Sequence, residues 1–245
     1  MQLAILADIH GNSRALEAVL EDAHRRGLTE FVDLGDILSG PLEPRKTFDM
    51  LKQVRLVAQV SGNQDRAIVE ASHPAPTRDF LKADLGPELI EWLSKLPLTA
   101  LVADEILLCH GSPASDTTYL LEDVASGRPQ VRPDADILAD LGEAAQWPVI
   151  LCGHTHVPRV VQLENGPLLL NPGSIGLPAY DHDAPVPHFM ETFSPHASYA
   201  VLEKTKRGWS ASFHRIPYDH HGAAARARDL NRLDWAQGIE FGRMK

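Results

Sequence analysis

The chain sets short, nearly unbroken apolar runs among polar stretches whose hydrophobic positions recur at helical spacing. Five such runs, residues 3–7, 31–34, 56–60, 106–109 and 149–152, are too short for independent helices and predict buried strands. After the first run, Leu16, Val19, Leu20 and Ala23 mark a helix over 13–26 that Gly27 terminates. Strand, turn, helix and strand in that order predict a βαβ unit and a parallel sheet.

Further helices are expected over 47–53, 77–85 and 87–95, followed by a strand pair over 98–109 that turns at Asp104-Glu105. Residues 111–130 have no clean period and read as a long loop with at most one helical turn. A helix over 133–145, opening at Asp134, precedes the last of the five runs. Asn165-Gly166 between two apolar segments predicts a hairpin over 157–170. Residues 175–195, rich in Pro, His and Asp, read as a loop wrapping the surface; a terminal antiparallel pair, 199–202 and 209–215, turns at Gly208. The tail, 222–236, is helical in pattern. One domain of 245 residues is expected, with core motifs in 1–174 and a C-terminal extension over 175–245.

Composition narrows the class. With 44% hydrophobic and 23% charged residues the chain can bury a full core. A formal net charge of -10 disfavours long nucleic acid and anionic membrane as partners. No run approaches the roughly 18 apolar residues of a membrane span, and the start has no secretory pattern. Cys109 and Cys152 read as buried thiols in a reduced compartment, so a cytoplasmic location is expected.

Each apolar run ends in residues suited to metals: Asp8-Ile9-His10-Gly11-Asn12, Gly35-Asp36, Gly62-Asn63, His110-Gly111 and Gly153-His154-Thr155-His156. If the strands share a sheet, their carboxyl ends bring these groups together. Carboxylate and imidazole suit borderline divalent cations. Asp36 and Asn63 alone are ordinary turn residues. His154 and His156, after the buried Val149-Ile150-Leu151, form the strongest single motif, and they can face different metals if the turn is tight.

Taken in order, these motifs resemble the calcineurin-like metallophosphoesterases, over residues 1–174, and within them the small bacterial and archaeal phosphodiesterase branch. The resemblance implies an α/β fold, a four-layer α-β-β-α sandwich of two mixed sheets with two divalent metals (Mn, Fe, Zn, Co or Ni) at strand carboxyl ends. Carried over, Asp8, His10, Asp36 and His156 hold one metal; Asp36, Asn63, His110 and His154 hold the other. Asn12, Asn63 and His110 carry catalytic roles, with Asn12 and Gly11 at the phosphoryl group. Two cations would lower the pKa of a shared water and aim the hydroxide in line with the leaving oxygen.

Many members carry His where this chain has Gln64, which cannot supply a proton at neutral pH. That favours good leaving groups or an acid recruited from His182, His188 or His196, with Tyr180 as a base-stacking platform. The expected substrate is a small phosphodiester or nucleotide phosphoanhydride, such as a dinucleoside polyphosphate. A non-catalytic scaffold of the same fold, like the superfamily's retromer subunit, is the alternative. The C-terminal helical tail and the hairpin are candidate contacts for a homo-oligomer.

Overall fold

The computed structural model describes residues 1–244. All five apolar runs form strands. β1 (Gln2–Leu6) leads through a turn into α1 (Ser13–Arg25), whose N-terminus is capped by the Asn12 side chain accepting from the Ala15 amide at 3.2 Å. β2 (Phe31–Asp33), α2 (Pro44–Leu51) and β3 (Leu56–Gln59) follow. Then comes α3 (Asn63–Val69), a short helix the sequence pattern does not announce. α4 (Ala75–Ser94) contains the two expected helices, joined where Gly86 adopts φ 69° ahead of Pro87.

β4 (Thr99–Val102) and β5 (Ile106–Cys109) form the expected pair. The segment expected as a loop holds a small ribbon, β6 (Glu122–Asp123) with β7 (Gln130–Val131), and no helical turn. α5 (Asp134–Leu141) ends in a 3-10 turn before β8 (Val149–Leu151). β9 (Arg159–Gln162) and β10 (Leu168–Asn171) are the Asn-Gly hairpin.

Three expectations for the C-terminal part change. The wrapping loop contains a hairpin, β11 (Ala179–His182) with β12 (His188–Glu191), whose Phe189 amide donates to the Gly127 carbonyl at 3.2 Å. The terminal pair, β13 (Ala197–Thr205) and β14 (Gly208–Ile216), is longer than expected, and β13 pairs along β1, with Ile5 opposite Ala200. The tail is two helices, α6 (His220–Asp229) and α7 (Leu233–Phe241), separated where Asn231 takes φ 57°.

The strands build two five-stranded mixed sheets, in the orders β14-β13-β1-β2-β3 and β4-β5-β8-β10-β9. β1, β2 and β3 are parallel, as are β5, β8 and β10. Alternation along β1 decides what packs where. Leu3 and Ile5 meet Ile106, Leu108, Val149 and Leu151 between the sheets, whereas Ala4 and Leu6 face Leu16, Val19 and Leu89 in the helical layer. Ile137 and Leu141 of α5 cover the far side of the second sheet through Leu107 and Ile150. Helix, sheet, sheet, helix is therefore the layering, and the parallel strands deliver their carboxyl ends to one edge. Cys109 and Cys152 are buried free thiols, and burial pushes Cys109 up to about 12. Among the described residues no helix is long and apolar enough to cross a membrane.

Candidate metal centre

The turns after the parallel strands are held in a conformation that side chains rarely adopt. Asp8 (φ 52°), His10 (52°), Asp36 (55°), His154 (69°) and His156 (60°) all lie in the left-handed region. Such residues cost of order 1–3 kcal/mol each and persist only where the surroundings overdetermine them. Here the surroundings are backbone. The Asp8, His10 and Gly11 amides donate to the carbonyls of Gly35, Asp36 and Ile37 at 2.9–3.0 Å, tying the first turn to the second. Gly35 and Gly62 face each other so closely that a Cβ on Gly62 would overlap the Asp36 carboxylate. Gly153 packs likewise on Asp8.

These turns gather two groups of ligand types, Asp8 with His10 and His156, and Asp36 with His110 and His154, each with its donor atoms within 4.8 Å of one another. Asp36 Oδ2 lies 3.4 Å from His110 Nε2 and 3.9 Å from His10 Nε2, so it stands between the groups. Asn63 Oδ1 is 3.1 Å from His110 Nε2.

The imidazoles are oriented from behind. Nδ1 of His110 donates to the Leu34 carbonyl at 2.7 Å, Nδ1 of His156 to the Leu177 carbonyl at 2.6 Å, and Nδ1 of His10 sits 2.9 Å from Ser39 Oγ. With the proton on Nδ1, Nε2 of His10 and of His156 each presents a lone pair inward. Nε2 of His10 and of His156 then approach to 3.2 Å, and Nε2 of His156 lies 3.2 Å from Asp8 Oδ1, a buried oxygen that no hydrogen bond satisfies. Lone pairs converging on an unsatisfied carboxylate oxygen repel one another unless a cation lies among them. The residues thus fit divalent cations.

Their acid-base balance agrees. Burial, with the neighbouring imidazole His156, holds His10 down at about 4; burial and His110 hold His154 at about 3. Burial would also lower His110, but the Asp36 carboxylate outweighs it and holds the ring up at about 10. Asp36 and Asp8 stay below the usual carboxylate range, because the imidazoles around them overcome the cost of burial. The centre draws positive charge to one point.

Two residues expected at the phosphoryl group lie off the cavity lining. Asn12 is fully buried: its Oδ1 caps α1 and its Nδ2 donates to the Gly176 carbonyl at 3.0 Å and to Tyr218 Oη at 3.1 Å. Its amide is spent on the fold, and neither Asn12 nor Gly11 lines the cavity above the centre. His188 is likewise buried, with Nε2 3.1 Å from Tyr119 Oη, and does not line the cavity; nor does His196. Tyr180 lines the cavity but stands edge-on to His156 at 4.7 Å and donates to the His154 carbonyl at 3.1 Å, so it braces ligands where a base-stacking platform was expected. His182 and Gln64 do line the cavity, and the Gln64 backbone N–H donates to Asp36 Oδ1 at 2.8 Å.

Sequence reasoning missed Asp65, which accepts from the amides of Gly62, Asp36 and Ile37 at 2.8–3.0 Å and locks the second and third turns together. Burial and the Asp36 charge push it up to about 7. Its signal was an acidic residue three positions after Gly62, the spacing of a capping box. Ser39 and Tyr119 had no signal of that kind. The cavity has a volume of about 1080 Å³, and its outer wall comes from residues 117–140, the β11–β12 hairpin and α7.

The profile of the "Calcineurin-like phosphoesterase superfamily domain" matches residues 1–203. An uncharacterised protein of Methanocaldococcus jannaschii is 27% identical over 187 residues, covering 71% of this chain and 70% of that protein. A metallophosphoesterase from Sphaerobacter thermophilus is similar in fold, with TM-score 0.70, 24% identity and coverage of 96% of this chain and 99% of that one. A hypothetical protein from Pyrococcus horikoshii has TM-score 0.76, 21% identity and 98% coverage of both chains. With a profile match over most of its length and the two ligand groups at its strand ends, this chain belongs to the calcineurin-like phosphoesterase superfamily, whose members depend on two metals, and is a hydrolase of phosphoester bonds.

Proposed function

We propose that this chain is a dinuclear metal-dependent phosphodiesterase acting on a small diester. Asp8, His10, Asp36 and His156 would hold one cation and Asp36, Asn63, His110 and His154 the other. Two carboxylates, four imidazoles and one amide suit Mn, Fe, Co, Ni or Zn. The observation that carries the reading is the convergence of His10 Nε2 and His156 Nε2 on the unsatisfied Asp8 Oδ1. Held by these residues, two cations would supply charge neutralisation at the phosphoryl group and activation of a water.

The chain's own residues position the reaction. Leu34, Leu177 and Ser39 fix the imidazoles, so the donor atoms need no reorganisation when substrate arrives. The site lies under a cavity far larger than a phosphate, with Tyr119, Tyr180 and Trp235 in its wall, so organic arms on the phosphorus are accommodated. Its arginines, Arg132 and Arg232, are already paired, to Asp140 at 2.6 Å and to Asp234 at 2.7 Å. Among the described residues no lysine lines the cavity. A chain of four phosphates would find no free cation along that wall. This favours a single phosphodiester with neutral arms over a dinucleoside polyphosphate.

Metal analysis followed by assay on an aryl phosphodiester and on a dinucleoside tetraphosphate tests both points. Two metals per chain and faster turnover of the diester are expected. A protein that takes up no metal and stays inert on both overturns the reading and favours a non-catalytic scaffold.

A further inference from the structure

Three of the four imidazoles at the metal centre are aimed from behind by a hydrogen bond: His110 by the Leu34 carbonyl, His156 by the Leu177 carbonyl and His10 by Ser39 Oγ. His154 is held differently. Its backbone N–H donates to Asp8 Oδ2 at 3.2 Å and its carbonyl accepts from Tyr180, but among the described residues no hydrogen bond reaches its ring. The ring meets two aromatic neighbours instead, His110 at 5.1 Å between centroids and Tyr119 at 4.9 Å with the planes 39° apart. His110 belongs to the same ligand group, so Tyr119 is the neighbour that holds His154 from outside that group.

An imidazole without a hydrogen bond turns about its side-chain torsions, and a ring laid against it removes that freedom only where that ring is itself fixed. Tyr119 is fixed at both ends. At the backbone, Arg132 Nη1 donates to its carbonyl at 3.0 Å, and the next two residues, Leu120 and Leu121, are buried in the core between the second sheet and α5. At the tip, its Oη donates to Nε2 of His188 at 3.1 Å. His188 is buried, and its Nδ1 donates to the Val186 carbonyl at 2.7 Å, which leaves Nε2 as the acceptor. The histidine expected as a recruited acid is therefore the anchor of this tyrosine. Val186, His188, Tyr119 and His154 form a line from the β11–β12 hairpin to the metal centre.

We propose that Tyr119 is a positioning residue of the metal centre, its ring setting the His154 imidazole toward the cation shared with Asp36, Asn63 and His110. The inference rests on the two-metal assignment above and on no particular substrate. Tyr119 does for His154 by ring packing what a carbonyl does for His110 and His156 by a hydrogen bond. Because the contact is ring against ring, phenylalanine in its place keeps most of it, whereas an aliphatic chain loses it. Groups that stand behind a metal ligand change metal affinity by about 10- to 100-fold when removed. The effect belongs to one cation, since His154 is a member of one ligand group.

Equilibrium dialysis against zinc reads the affinities of the two sites in the wild type, Tyr119→Ala, Tyr119→Leu and Tyr119→Phe. The alanine and leucine variants should weaken one site about 30-fold and the other less than about threefold, while phenylalanine should stay within about threefold at both. The leucine variant keeps most of the bulk and stands in for alanine should that one fail to fold. A second readout needs no metal: the ¹⁵N resonances of the His154 ring in the metal-free protein should shift and broaden in Tyr119→Leu, while those of His10 and His156, held by their own hydrogen bonds, stay in place. Unchanged zinc affinity, a loss shared equally by both sites, a loss in the phenylalanine variant as large as in the leucine one, or His154 resonances that do not move overturns the role of Tyr119 and leaves the metal centre intact. A wild type that binds no zinc overturns the two-metal assignment, and this inference with it; one that binds two zinc ions yet cleaves no ester overturns the phosphodiesterase reading alone.

Discussion

Carboxylates crowd two regions of one cavity, and the fold treats them differently. In the wall, Glu122, Asp140 and Asp234 each hold an arginine, with Arg159 Nε at 2.8 Å, Arg132 Nη1 at 2.6 Å and Arg232 Nη2 at 2.7 Å. At the floor, Asp8 and Asp36 are buried with no lysine or arginine partner among the described residues; the basic side chains that approach them are imidazoles. The charge of these three wall carboxylates is settled within the chain, whereas the floor's charge is left for a cation from outside. A metal centre is thus recognised by what its carboxylates lack, and their number says little.

The largest expected effect comes from removing that unmatched charge. Asp36→Asn should abolish turnover, on the order of 10³-fold in kcat, because in the proposed centre one side chain serves both ligand groups. Metal content after dialysis, measured by emission spectrometry, should fall with it; full retention of two metals would show that Asp36 does not stand between them. The matching change in the wall acts on stability alone. Arg159→Met leaves the buried Glu122 without its cation and should cost about 3 kcal/mol in urea unfolding, with metal stoichiometry unchanged.

A smaller effect follows from pH. Metal-free His110, held up at about 10, carries a proton through the neutral range, and a cation must displace it. Below pH 10 each unit of acidification multiplies the competing proton tenfold, so apparent metal affinity should fall about tenfold per unit and recover as pH rises. His10 and His154, at about 4 and about 3, add protons of their own only near and below those values. Calorimetry at pH 7.5 in buffers of different ionisation heat should register about one proton released as the His110 group loads; a heat independent of buffer would contradict the charge balance proposed for the floor.

The floor was legible in the sequence because its ligands end apolar runs. Each run forces a strand, parallel strands share an edge, and Asp8, His10, Asp36, Asn63, His110, His154 and His156 arrive there together. The wall was not legible. Residues 175–195 lack the alternation that marks a strand, and their hairpin depends on the distant Gly127 and on an Arg128–Glu191 ion pair. Asn12 shows the opposite failure: it sits within a ligand motif, yet its amide is consumed by α1, Gly176 and Tyr218.

By itself the sequence determined the layered α/β fold, the superfamily and the convergence of acidic and imidazole side chains at the strand ends, because local hydrophobic period and residue chemistry survive in any projection of the chain. Tertiary structure alone decided which histidine nitrogen faces inward, which carboxylates are already paired and which residues wall the cavity. Those depend on carbonyls, arginines and turns supplied by segments far apart in the chain, and no local pattern records where such segments meet.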